Sequence, residues 1–271
     1  MPFINVRDLK MYYEIRGKGP RLLVISGTGG DLRRSPSIFE LSIAQHFEIL
    51  AYDQRGLGQT SGPDVPYTMV DYADDANALL EAVEWDRCLV MGISFGGMVA
   101  QEFALRYPGR VERLVLACTS SGGAGGASYP LHELVDLPLE EYVRRMIPLR
   151  DIRRHAIWRE TNPAEFEVLF AQTLEGMRVG VDEPGRQIGA RRQLEARARH
   201  DTYARLPNLR MPVYICGGLY DSIAKPGNLK SMQKQIPGSR LELFEGGHLF
   251  YIQDPRAFER IEAFLKGNLN G

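Results

Sequence analysis

Cysteine is scarce in this chain of 271 residues: Cys88, Cys118 and Cys216 are the whole complement. An odd, sparse set excludes a disulfide framework. Each lies in a short apolar run, so the expected role is that of a small buried hydrophobe. No CxxC pair and no HExxH occurs, and no metal site is expected. Net charge is also nearly absent. A formal charge of −1 leaves no electrostatic footprint for nucleic acid or an anionic membrane. No apolar run approaches the roughly 20 residues of a membrane span. The opening stretch, MPFINVRDLKMYYEIRGKGP, lacks the unbroken apolar segment of a signal peptide. Neither an internal repeat nor a low-complexity tail is visible. A soluble, cytoplasmic protein is expected.

What is present alternates. Hydrophobic residues make up 44% and charged residues 25%, an ordinary globular balance, and the length suits one large α/β domain or a domain carrying an insertion. A hairpin is expected from Phe3–Val6 and Met11–Ile15. Short unbroken apolar runs follow at 22–25, 47–52, 88–91, 114–118, 213–216 and 241–244. Runs of that kind are strands buried on both faces. Helical patterns separate them at about 70–84, 96–107, 226–235 and 254–266. Strands alternating with helices predict a mostly parallel sheet with helices on both faces. One segment breaks the alternation. From about Ser120 to Leu206 there is a flexible opening, SSGGAGGASYP, then helical patterns over 139–146, 163–177 and 186–199. Residues 1–119 and 207–271 therefore read as the core domain and 120–206 as a helical cap, or lid, insertion. Its many arginines are balanced by acids, which suits a solvated surface.

The chemistry gathers at Gly92-Ile93-Ser94-Phe95-Gly96, which fits G-x-S-x-G between a buried strand and a helix. Such a turn must be sharp, with the serine at its apex in a strained backbone geometry. A Cβ at either flanking glycine would crowd the turn. The helix that follows aims its N-terminus at the site, which favours developing negative charge. A serine hydroxyl needs a base. Of five histidines, His46 ends a helix before a strand, and His132, His155 and His200 lie in the helical insertion, where surface positions are the commoner case. His248 follows the last strand, in Phe244-Glu245-Gly246-Gly247-His248, and loops at the C-terminal ends of parallel strands are where open α/β sheets hold their sites. A carboxylate must orient that histidine. Asp221 ends Gly217-Gly218-Leu219-Tyr220-Asp221, after the preceding strand; Glu245 is the competitor, but is too near His248 in the chain to align with its ring. The order is Ser94, Asp221, His248. For the oxyanion, the backbone N–H of Phe95 and one from Ser26-Gly27-Thr28-Gly29-Gly30 are expected, with Thr28 first and Gly29 next.

With these motifs the chain resembles an α/β-hydrolase of the esterase, lactonase and haloperoxidase-like group. The resemblance rests on Ser26–Gly30, Tyr52-Asp53-Gln54-Arg55-Gly56-Leu57-Gly58, GISFGG, Gly218–Asp221 and Gly247-His248, and it spans nearly the whole chain. It implies the α/β-hydrolase fold with a cap that roofs the pocket, and catalytic roles for Ser94, Asp221 and His248. Many relatives have a His-Gly pair where this chain has Ser26-Gly27. The DQRG stretch is similar to that of proline iminopeptidases, which typically have Trp where Phe95 stands. Carbon–carbon bond hydrolases often have Trp where Leu249 stands. A serine nucleophile argues against haloalkane dehalogenase and the usual epoxide hydrolase chemistry.

The function expected is that of a serine hydrolase of carboxylic esters, a carboxylesterase working through an acyl-enzyme without metal or organic cofactor. Its partner would be a small-molecule ester or lactone, and the chain would act as a monomer or homodimer. Enol-lactonase and carbon–carbon bond (meta-cleavage product) hydrolase are the alternatives on the same residues, followed by a proline iminopeptidase-like enzyme and a non-enzymatic ligand receptor. A dinucleotide site at Gly27–Gly30 with Asp53 fails because Leu32 occupies the third glycine position of G-x-G-x-x-G; Asp53 and Arg55 are expected to brace loops instead. An enol-lactonase would need a cation for its substrate's carboxylate, with Arg144, Arg145, Arg191 and Arg192 among the candidates.

Overall fold

The structure is a computed structural model that describes residues 2–269. Eight strands form one sheet in the order β1-β2-β4-β3-β5-β6-β7-β8. They are β1 (Phe3–Val6), β2 (Leu9–Arg16), β3 (Arg21–Ile25), β4 (Glu48–Tyr52), β5 (Cys88–Ile93), β6 (Val111–Ala117), β7 (Val213–Gly218) and β8 (Arg240–Phe244). β2 pairs antiparallel with β1 and β4, and every other pairing is parallel. The six apolar runs read from the sequence are the six parallel strands, with bounds shifted by one to three residues.

Side chains alternate between two buried faces, as the pleat requires. Leu23, Ile25, Leu50, Tyr52, Val90, Leu114, Leu116 and Ile215 join the core under helices α1 (Met69–Ala82), α2 (Phe95–Arg106) and α7 (Pro226–Gln235). Their neighbours Leu22, Val24, Ile49, Ala51, Leu89, Met91, Val115 and Cys216 pack on the other face. There they meet α8 (Phe250–Gln253) and α9 (Arg256–Leu265), whose buried Ala257, Phe258, Ile261, Phe264 and Leu265 form one apolar stripe. Burial on both faces is why these strands read as unbroken apolar runs. The three cysteines are free and buried, as expected.

Between β6 and β7 the chain holds α3 (Leu139–Arg150), α4 (Ala156–Thr161), α5 (Pro163–Arg178) and α6 (Arg186–Ala198), with one isolated bridge, Gly122 to Asp201, in place of a strand. α6 meets the loop after β4 backbone to backbone: a Cβ on Gly189 would fall 1.8 Å from the carbonyl oxygen of Gly56. That loop is braced from within. Arg55 donates twice to Asp75, through Nε at 2.6 Å and Nη2 at 2.8 Å, and both residues are buried. Asp53 accepts from the backbone N–H groups of Leu32 and Gln59. Both residues brace loops, as the sequence indicated.

The strand order places the site. After β3 the chain moves outward to β4, then crosses back to β5 on the other side of β3. Loops leaving β3 and β5 therefore diverge and open a crevice at their C-terminal ends, the switch point where open α/β sheets bind ligands.

Candidate active site

Ser94 stands between β5 and α2 with φ 56° and ψ −115°, a left-handed backbone that a non-glycine residue adopts only when its surroundings impose it. The surroundings here are specific. The Ser94 N–H donates to the carbonyl of Ala117 at 2.8 Å, and the Thr119 hydroxyl donates to the carbonyl of Ser94 at 2.8 Å. Phe95, fully buried, sets its ring edge-on to Tyr72 at 5.0 Å and anchors the start of α2.

Three side chains from three loops meet at this apex. Ser94 Oγ lies 2.9 Å from Nε2 of His248, and Nδ1 of His248 lies 2.7 Å from Oδ2 of Asp221. All three are buried, with Ser94 and His248 8% exposed and Asp221 3%. The other oxygen of Asp221 accepts from the backbone N–H groups of Ile223 at 2.7 Å and Ala224 at 3.0 Å. The carboxylate is thus held by its own turn while it faces the ring. The His248 N–H donates to the carbonyl of Arg150 at 2.6 Å, which ties the histidine loop to the end of α3. Glu245, the competing carboxylate, is exposed and faces Arg153 at 3.6 Å instead.

The loop after β3 runs beside the serine: a Cβ on Gly27 would lie 3.4 Å from Cβ of Ser94. Gln54 holds this loop by donating to the carbonyl of Ser26 at 2.7 Å. The Gly29 N–H is taken, donating to Oε1 of Gln193 at 2.8 Å. Those of Thr28 and Phe95 donate to no group among the described residues. Of the two donors ranked from the sequence for this loop, Thr28 is the one left open.

The remaining histidines lie away from this chain of contacts. His46 faces Glu262 at 3.5 Å, His155 caps α4, and His132 is exposed. His200 departs from the surface position expected of it: it is buried, neither ring nitrogen has a partner, and burial pushes its pKa down to about 4. A surface cleft of about 470 Å³ lies beside His200, Glu102 and Arg205, and is lined by none of Ser94, Asp221 and His248.

The four arginines of the 120–206 segment named from the sequence are also engaged elsewhere. Arg144 sits over the rings of Phe166 and Phe170, Arg145 pairs with Glu141, Arg191 with Asp136, and Arg192 with Asp64 and Glu195. The cations near the site are others: Arg34 and Arg186 both donate to the carbonyl of Gly29, at 2.8 and 3.0 Å. Arginine richness over 120–206 could not single out Arg186 among the outward arginines of that segment, and Arg34 lies outside it altogether. Gln54 stands in a motif the sequence did supply, and Gln193 in a helix it predicted, but neither residue carried a signal of its own.

Residues 20–179 match the sequence profile of the alpha/beta hydrolase fold. The chain belongs to the alpha/beta hydrolase fold family. Among its relatives within this family, 3-oxoadipate enol-lactonase 2 of Acinetobacter baylyi is 26% identical over 97% of this chain and 96% of its own length. A hydrolase of Pseudomonas aeruginosa PA01 superposes with a TM-score of 0.74 at 28% identity, covering 98% of this chain and 97% of that one. The enol-lactonase of Burkholderia xenovorans LB400 superposes equally well, with a TM-score of 0.74 and the same coverage, but at 23% identity. That last likeness is one of fold. No helix among the described residues is long and apolar enough to cross a membrane.

Proposed function

We propose that this alpha/beta hydrolase is a serine hydrolase of carboxylic esters, with Ser94 as nucleophile, His248 as base and Asp221 as its orienting carboxylate. The observation that carries the reading is the unbroken contact from Ser94 Oγ through both ring nitrogens of His248 to Asp221, at 2.9 and 2.7 Å. These distances suit proton transfer from a hydroxyl to an imidazole whose other nitrogen is held by an anion.

In the first half-reaction the Ser94 oxygen bonds to the acyl carbon while its proton passes to Nε2 of His248. The carbonyl π pair moves onto oxygen, and the N–H groups of Phe95 and Thr28 stabilise that charge. Collapse of the tetrahedral species breaks the bond to the leaving alcohol, which takes the proton from His248. In the second half-reaction water gives a proton to His248 as it attacks the acyl-enzyme; collapse of that tetrahedral species breaks the bond to Ser94 Oγ, which takes the proton back from His248, and the acid is released. Asp221 stays ionised throughout and stabilises the imidazolium twice per turnover. The positive end of α2 adds to the stabilisation of the oxyanion.

Residues 120–206 act in this reading as a cap over the core formed by 1–119 and 207–271. Supporting it, Gln193 and Arg186 of α6 reach the loop beside the nucleophile, and Arg150 of α3 reaches the histidine loop. A lactone is the second substrate form, favoured by the relative named as an enol-lactonase that aligns over nearly the whole chain. A panel of 4-nitrophenyl esters and lactones run on wild type and on Ser94→Ala tests the assignment. The variant is expected to lose activity by several orders of magnitude, on the scale of triad deletions. Hydrolysis near the wild-type rate would remove Ser94 from the role.

A further inference from the structure

Arg186 and Arg197 are buried and Arg34 and Arg150 half-buried; none of the four forms an ion pair among the described residues, and burial is the first cause lowering the pKa of each. Arg197 is a structural tie, donating to the carbonyl of Tyr129 at 2.7 Å and the hydroxyl of Ser128 at 2.6 Å. Arg34 and Arg186 are different. They converge on one backbone oxygen, that of Gly29, while the N–H of the same residue is held by Gln193.

Each of these three side chains keeps a buried donor with no acceptor: Nε of Arg34, Nη1 of Arg186 and Nε2 of Gln193. Arg186 is 7% exposed and Gln193 is fully buried, so water does not readily serve these donors. The orientation of the Gln193 amide follows from its contact, because its oxygen must face the Gly29 N–H. A buried donor without a partner costs about 1–3 kcal/mol, and more when charged. Three of them around Gly29, two residues along the loop from Gly27, where a Cβ would lie 3.4 Å from that of Ser94, is a cost the fold carries without a structural return.

We propose that this cluster is an anion subsite, and that the ester or lactone attacked by Ser94 carries a carboxylate held by Arg34, Arg186 and Gln193. The inference rests on the acyl-transfer reading of Ser94, which it deepens by naming a substrate class. The nearby acids do not fill the subsite. Asp31 has both oxygens on Arg33, at 2.9 and 2.7 Å, and Arg33 also takes Glu183. Asp53 has both oxygens on backbone N–H groups. Burial, with the repulsion of Arg186 and Arg150 only partly offset by Asp31, takes the pKa of Arg34 down to about 10, so it is still a cation at neutral pH. A carboxylate would accept from the planar guanidinium donors and end the repulsion, and geometry of that kind discriminates strongly against neutral isosteres.

Two measurements test this. The first compares kcat/KM for the 4-nitrophenyl half-esters of glutarate and adipate with 4-nitrophenyl valerate and hexanoate. The anionic acyl groups are expected to win by at least tenfold, and Arg186→Gln and Arg34→Gln each to cut that preference by at least tenfold. The second needs no turnover: thermal unfolding of Ser94→Ala titrated with glutarate and, separately, with glutaramide. A saturable rise in Tm with the dicarboxylate alone is expected, reduced when either arginine change is added. Equal rates for charged and neutral esters, or equal shifts with acid and amide, would overturn the subsite and leave the role of Ser94 intact. A carboxylate-specific shift without hydrolysis of any ester would keep the subsite and overturn the role of Ser94.

Discussion

Gly96 lies so close to Ile25 that a Cβ on it would fall 2.0 Å from the Ile25 carbonyl oxygen. The start of α2 therefore rests directly on the end of β3, and the loop carrying Thr28 is set against the turn carrying Ser94 without a side chain between them. Gly92 is equally constrained, since its Cβ would meet the Gly96 carbonyl oxygen at 2.4 Å. The obstacles are backbone atoms, which cannot swing aside as a side chain would.

Gly96→Ala is accordingly expected to destabilise the protein by about 3 kcal/mol or more, at the top of the range for overpacking. Calorimetry would register this as a fall in Tm of roughly 6–12 °C, taking about 2–4 °C per kcal/mol for a chain of this size. A Tm within a degree of wild type would show that β3 and α2 can separate at this point.

Asp221→Asn isolates the orienting role proposed for this carboxylate. The amide oxygen can still accept from the N–H groups of Ile223 and Ala224, so the turn keeps its contacts. Opposite His248 Nδ1, however, a donor now stands where an anion stood, and the wrong tautomer is favoured. A fall in kcat of about 10⁴ on neutral aryl esters is expected, with thermal stability little changed. Retained activity would direct attention to another carboxylate.

Arg55 and Asp75 form a buried, two-point ion pair that holds the loop after β4. Arg55→Ala leaves a buried carboxylate with only Arg7 beside it, at 2.7 Å. The expected loss is about 3–5 kcal/mol in urea unfolding, the cost of a broken buried pair. Arg55→Lys restores charge but not the fork, and should recover only part of it.

His200 gives stability a pH dependence. Its pKa falls from 6.5 to about 4 through burial, against the raising influence of Glu102, the Ser120 backbone and Asp201 and alongside the lowering influence of Arg205. The unfolded chain then binds a proton more readily than the folded one. Its contribution is complete above pH 6.5 and is lost as pH falls through 4, worth roughly 3 kcal/mol over the whole window. His200→Gln should show a smaller loss of stability between pH 7 and pH 4.5 than wild type, measured by urea unfolding at both. Parallel losses in the two proteins would place the acid sensitivity elsewhere.

The legible parts of this protein were those written locally. Leu22–Ile25 and Val213–Cys216 are buried on both faces, so burial alone produced their unbroken apolar pattern. The turn at Ser94 needs its glycines within four residues, and Asp221 and His248 follow strands that could themselves be read. What stayed hidden was assembled over distance. Arg34, Gln54, Arg186 and Gln193 meet around Ser26 and Gly29 from segments up to 164 residues apart. Nothing near Arg186 in the chain distinguishes it from Arg191, five positions on and exposed to Asp136. The burial of His200 was missed for the same reason: the groups that enclose it come from α2 and the stretch after β6.

The contact between Gly56 and Gly189 bears on how this pocket could be redesigned. Both backbones touch there, so α6 cannot be shifted to enlarge the site, and any side chain introduced at either position would push the helix off its seat. Libraries aimed at new substrates should hold the spine of α6 constant and draw their diversity from side chains that no backbone contact fixes.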